Sequence, residues 1–154
     1  MVENTTHNTC GGYTIIKTIG VGGNAPVKLV EKDGEQYAMK IMTPGEAGWQ
    51  SCVDKTRVEY NLLKERDISS IVKYVEFNDN AVWTNSKGTK IPCIFLVMEF
   101  LKAAEMLEFI NEMGTVDDSF LRYIFTEIAG GIHQIHKAGI AHRDVKLDNV
   151  MITE

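Results

Sequence analysis

The stretch His142-Arg-Asp-Val-Lys-Leu-Asp-Asn149 gathers the side chains best suited to chemistry. Asp144 and Asn149 both carry oxygens, and Lys146 stands between them. On a short loop after a long apolar helix, such residues can place a carboxylate to accept a hydroxyl proton. They can also set an ammonium near a transferring phosphoryl group and an amide oxygen on Mg²⁺. A chance loop of charged residues is the alternative, and upstream pieces in a suitable order argue against it.

The first of these is Gly20-x-Gly22-x-x-Ala25. Backbone without side chains approaches phosphates closely and points its N–H groups at the oxygens. A plain β-turn explains the same residues. A dinucleotide-binding turn opens a long helix and meets an acidic residue about 20 positions later. Here the turn opens Val27-Lys-Leu-Val30, which reads as a strand, and Lys40 stands where the acid is needed. That reading fails. Lys40 ends the run Tyr37-Ala-Met-Lys40, and Glu59 lies in the helical segment that follows. A helix laid across the sheet could aim Glu59 at Lys40 and hold the ammonium where it meets α- and β-phosphates. Solvated surface positions are the ordinary alternative for both.

The elements that must position these residues follow from pattern. Tyr13–Ile19 alternates as a strand, Gly20–Ala25 makes a flexible turn, and Val27–Val30 and Gln36–Met42 read as further strands. Trp49–Lys64 has helix-forming composition without Gly or Pro. Ile71–Thr84 and Ile91–Phe100 are β-rich runs joined by a hairpin signal at Asn85–Lys90. Phe120, Leu121, Ile124, Phe125, Ile128, Ile132 and Ile135 then fall on one helical face, capped by Thr115 or Asp117 and stopped at Gly139. Segregated strands and helices favour an α+β class.

Composition bounds the function. The 154 residues are 44% apolar and 24% charged, an ordinary globular balance. A net charge of −5 without a Lys/Arg run argues against nucleic acid or an anionic membrane as partner. Cys10, Cys52 and Cys93 are odd in number and far apart, with no C-x-x-C pair, as expected in a reducing compartment. The polar opening lacks a signal-peptide core, and Ile91–Leu101 is too short to span a bilayer, so a soluble cytoplasmic protein is expected. His133, His136 and His142 invite a metal reading, but a zinc site needs converging ligands with a second shell.

Together these pieces resemble the eukaryotic protein kinase family from about Tyr13 to the last residue. Gly20-Val-Gly-Gly-Asn-Ala25-Pro-Val27 resembles the glycine loop, Ala38-Met-Lys40 the V-A-I-K strand and His142–Asn149 the catalytic loop. Glu59 sits where the family has its αC glutamate, and Leu96–Leu101 resembles the hinge. The resemblance implies an ATP site. Gly20, Val21, Gly22, Gly23, Asn24 and Ala25 would cover the phosphates, Ile19, Val27 and Ala38 the adenine, with Met151 as its floor. Met98 would be the gatekeeper, Glu99 and Leu101 would offer backbone groups to adenine, and Glu105 would meet the ribose. It implies ATP and Mg²⁺ as cofactors, Asn149 as metal ligand, and Asp144, Lys146, Lys40 and Glu59 as catalytic residues. Lys146 in the loop implies a serine/threonine enzyme acting on a protein hydroxyl.

The expected layout is a polar tail over 1–12, a small lobe over 13–98 with a five-stranded antiparallel sheet and one helix, and a hinge and incomplete large lobe over 99–154. Ala25 and Pro26 depart from the glycine-loop pattern and should stiffen it. Neither D-F-G nor A-P-E occurs in the 154 residues, so the chain alone is expected to be inactive. A nucleotide-binding or scaffolding module without catalysis is the alternative.

Overall fold

The structure is a computed structural model and describes residues 8–22, 25–45 and 49–153. The first half gives β1 (Thr9–Cys10), β2 (Tyr13–Gly22), β3 (Ala25–Lys32), β4 (Glu35–Met42), α1 (Trp49–Leu63), β5 (Tyr74–Thr84) and β6 (Lys90–Glu99). These strands are antiparallel and close on themselves in the order β1-β2-β3-β4-β6-β5. The second half holds β7 (Ala103–Glu105), α2 (Met106–Met113), α3 (Asp118–Lys137), a 3-10 turn (Leu147–Asn149) and β8 (Met151–Thr153), which pairs with β7. The class is α+β, with the expected five long strands and single helix in the first half.

The chain divides into two compact units. The first runs through Arg66 and resumes over Lys73–Phe100, and the second takes Asp67–Val72 and everything from Leu101. In the first, alternate strand residues point to opposite faces. One set, including Tyr13, Val30, Met39, Ile41, Cys93 and Val97, packs around Phe95, which is fully buried. On the other face Ala25, Met42 and Ile94 receive Val53 of α1, with Trp49 and Cys52 beside it. Burial of an apolar stripe, rather than propensity, is what holds such a helix in place.

Several expectations need correction here. The opening read as a tail contains β1, where Cys10 pairs with both Tyr13 and Trp83 and is buried. Gly11 and Gly12, at φ 57° and 86°, turn the chain back into β2. The sheet thus has six strands, and Cys10 and Cys93 bring their sulfurs to 3.5 Å inside it. The glycine turn is shorter than the run 20–25, because β2 extends to Gly22, which pairs with Ala25. Gly23 and Asn24 lie outside the described residues. Pro26 stands second in β3, near the strand start where a missing N–H is tolerated. Ile71 and Val72 do not open β5. They belong to the second unit, where Ser69 and Ser70 contact Gln134 and Gly131 of α3.

In that unit Asp117, not Thr115, caps α3 by accepting from the N–H groups of Ser119 and Phe120 at 2.6 and 3.3 Å. Gly139, at φ 75°, follows its end. Along the expected apolar stripe Ile135 is buried, while Phe125 is 67% exposed. At about 100° per residue, Ile135 falls mid-stripe and Phe125 at its margin.

Candidate active site

The 3-10 turn organises the second unit's chemistry. Asn149 donates its backbone N–H to Lys146 O at 3.0 Å, which folds Asn149 back toward Asp144. Its side-chain Nδ2 then donates to Asp144 O at 2.8 Å and to Asp144 Oδ2 at 2.9 Å. With the amide nitrogen so engaged, Oδ1 of Asn149 faces away as an oxygen donor. Lys146 Nζ lies 3.7 Å from Asp144 Oδ2. Both side chains of that pair are more than half exposed, so it orients more than it stabilises. His142 Nδ1 accepts from the Asp144 N–H at 3.2 Å. Arg143 between them holds φ 67°, a strained conformation for a residue with a Cβ. Asp144 thus has one carboxylate oxygen anchored and the other presented. The sequence brought these three residues to one loop, and the structure brings their side chains together.

In the first unit the ladder register gathers a second group. Val27 lies opposite Lys40, and Lys40 opposite Leu96. In the next row Leu29, Ala38, Met98 and Tyr74 line up across four strands. Direct partners share a face, so Val27, Ala38, Lys40 and Met98 stand together on the face that also carries Met42 under α1. Ala25 is buried at its edge, while Ile19 and Val21 are exposed on β2. A register shift between Thr18 and Gly20 sets Ile19 out of the ladder. Glu99 uses its N–H on Lys73 O at 2.9 Å and accepts the Lys73 N–H at 2.7 Å through Oε1.

Lys40 and Glu59 are not paired in this structure. No ion pair within 4.0 Å involves Lys40 among the described residues. Glu59 Oε1 instead accepts the Tyr74 hydroxyl. Burial first, and then the Glu59 charge, push the Tyr74 hydroxyl above the ordinary phenol range. Sequence reasoning missed Tyr74 altogether. Its position opposite Met98 was legible only once the register was known.

Of the remaining expected residues, Leu101 is half-buried and Glu105 and Met151 are direct partners in the β7–β8 ladder. The Met106 N–H donates to Val150 O at 2.8 Å, tying α2 to the end of the 142–149 loop. Among the described residues no three His, Cys, Asp or Glu side chains gather as a metal cluster. None of the described helices is long and apolar enough to cross a membrane.

Comparison with known proteins gives this geometry a family. The protein kinase domain pattern matches residues 13–154. Serine/threonine-protein kinase sax-1 of Caenorhabditis elegans is 32% identical over 150 residues, covering 96% of this chain and 29% of the relative. Serine/threonine-protein kinase cot-1 of Neurospora crassa is 32% identical over 143 residues, 91% of this chain and 22% of the relative. The chain therefore spans under a third of either relative. Among solved structures, the Mycobacterium tuberculosis PknI kinase domain superposes with a TM-score of 0.75 at 20% identity, over 96% of this chain and 57% of that one. That likeness bears on fold alone. Rad53 1–466 in complex with AMP-PNP gives 0.70 at 26% identity, over 95% of this chain and 36% of that one. The chain belongs to the protein kinase domain family, and its matched relatives are serine/threonine kinases.

Proposed function

We propose that the protein takes part in ATP-dependent phosphorylation of protein serine or threonine hydroxyls, and that the loop from Asp144 to Asn149 is its catalytic loop. The observation that carries this reading is the hydrogen-bonded pair of Asp144 and Asn149, with Lys146 Nζ 3.7 Å from the Asp144 carboxylate. Asp144, with Oδ2 anchored by Asn149, offers Oδ1 to orient the substrate hydroxyl and accept its proton. Lys146 supplies positive charge toward the transferring group while remaining close to Asp144. The Asn149 amide oxygen suits a hard cation. Asn149 would hold Mg²⁺ there, which would supply charge neutralisation to the phosphates.

The first unit supplies the nucleotide side. Val27, Ala38 and Met98 offer an apolar face to adenine, and Lys40 offers an ammonium to the phosphates beside it. Glu99 has its N–H engaged, so its carbonyl is the backbone group it presents, with Leu101 following. By the family resemblance Gly20 to Ala25 would serve the phosphates, Glu105 the ribose and Met151 the adenine floor. AMP-PNP, an ATP analogue, is bound by Rad53, a structural relative, which supports the choice of nucleotide. The 154 residues alone transfer phosphate poorly, because electrostatics and positioning supply nearly all the rate in this reaction and they contain no D-F-G aspartate to join Asn149 at the metal.

Calorimetric titration of the chain with AMP-PNP tests the nucleotide side. Binding should require Mg²⁺ and weaken in Lys40→Met and in Asn149→Ala, with unchanged circular dichroism. Binding indifferent to Mg²⁺ and to both substitutions would overturn it. A non-catalytic nucleotide-binding module passes this test, and phosphate transfer separates it from an enzyme.

A further inference from the structure

Tyr74 and Lys40 stand on the same face of the closed sheet. The row Leu29–Ala38–Met98–Tyr74 lies next to the row that contains Lys40 and Leu96. Glu59, on α1 above this face, can therefore meet a hydroxyl from β5 or an ammonium from β4. In the structure it meets the hydroxyl, and Lys40 has no acidic partner among the described residues. We infer that Tyr74 is a positioning residue that latches Glu59, competing with Lys40 for its carboxylate and setting how often the Lys40–Glu59 pair forms.

The physical basis is a choice between two charge-assisted contacts. A carboxylate that accepts a phenolic O–H gains a strong hydrogen bond without bringing an ammonium out of water. Pairing with Lys40 gains Coulomb attraction and requires the Glu59 side chain to leave Tyr74. Phenylalanine at 74 keeps the ring and its packing and removes only the donor. The equilibrium then moves toward Lys40, by an amount equal to the differential affinity that the hydroxyl had provided. The inference rests on the proposed role of Lys40 for its consequence in catalysis, but the latch itself does not.

The test reads Lys40 directly. The chain is acylated with a limiting amount of an N-hydroxysuccinimide ester, and labelling at Lys40 is followed by peptide mass spectrometry. Only the free amine reacts, and a carboxylate partner favours the ammonium. In Tyr74→Phe, labelling of Lys40 should slow by about three- to tenfold, the latter being one unit of displaced ionisation. Glu59→Gln alone should leave the original rate, and Tyr74→Phe with Glu59→Gln should restore it. An unchanged rate in Tyr74→Phe overturns the latch. So does slowing that survives Glu59→Gln, or faster labelling in Glu59→Gln alone, which would mean that Glu59 already holds Lys40. AMP-PNP binding is measured on the same variants. If none binds while the labelling pattern holds, the nucleotide reading falls and the latch stands.

Discussion

Gly11→Ala is a sharp test of how β1 is built. Gly11 holds φ 57°, and a Cβ placed there runs into the Cε1 and Cζ atoms of Phe95, with Cδ1 at 3.5 Å. Phe95 is fully buried at the centre of the sheet and meets Tyr13 edge-on at a centroid distance of 6.1 Å, so its ring cannot withdraw freely. A left-handed conformation costs an L-residue roughly 1–2 kcal/mol. Overpacking a filled core costs about 1–3 kcal/mol more. The sum is about 2–5 kcal/mol, which for a chain of this size corresponds to a fall in melting temperature of roughly 5–15 °C. Gly12→Ala is the internal control, because Gly12 has φ 86° but nothing within 4 Å of the built Cβ. It should cost only the backbone share. Urea titrations of both variants, and of Gly11→Ala in a Phe95→Leu background, separate the two contributions. If Gly11→Ala costs no more than Gly12→Ala, β1 does not lie against Phe95 and the closed six-strand sheet is wrong.

Other consequences are simpler to state. Asp117 is held below the ordinary carboxylate value of 3.8 by the Ser119 hydroxyl first and then by the Ser119 and Phe120 N–H groups. Its folded value is depressed, so its stabilisation of α3 is present above that ordinary value and lost as pH falls through the folded one. The stability difference between wild type and Asp117→Ala, followed by circular dichroism, should therefore close in acid. Ile135→Ala should cost about 2–4 kcal/mol in urea titrations, whereas Phe125→Lys should stay within about 0.5 kcal/mol. Equal costs at the two positions would mean that the stripe faces elsewhere. Tyr13→Phe removes a 2.8 Å hydrogen bond to Glu76. It should cost about 1 kcal/mol by denaturant titration, the usual net value for one hydrogen bond.

Much of this was legible in the sequence because it is local. Alternation marked β2, β-branched and aromatic runs marked β5 and β6, Asn85–Lys90 marked the hairpin, and the 120–135 periodicity marked α3. Asp144, Lys146 and Asn149 could be read together because a few residues of chain constrain them to one loop. β1 was hidden because two residues, Thr9 and Cys10, carry no period, and their pairing with β2 and β5 depends on a closure that only three dimensions supply. Ile71 and Val72 read as the start of a strand, since nothing in them signals that Ser69 and Ser70 reach Gln134 and Gly131. Glu59 was placed on the right helix, but its partner was read as Lys40, whereas in the structure it accepts the Tyr74 hydroxyl. Lys40 and Tyr74 offer it alternatives from different strands, and spacing along the chain cannot rank a hydroxyl against an ammonium across a sheet face.

The central claim is that Asp144 is the proton-accepting carboxylate of a phosphoryl-transfer loop. Incorporation of radiolabelled phosphate from γ-labelled ATP into a serine- and threonine-bearing protein, by these residues carried within a whole kinase domain, tests it most directly. Asp144→Asn keeps the size of the side chain and an acceptor for Asn149, yet removes the base. The account predicts Mg²⁺-dependent incorporation that falls by about 10²–10⁴ in Asp144→Asn, with AMP-PNP binding retained. Incorporation undiminished in Asp144→Asn, or no incorporation by a wild-type protein that binds AMP-PNP and Mg²⁺ tightly, contradicts it.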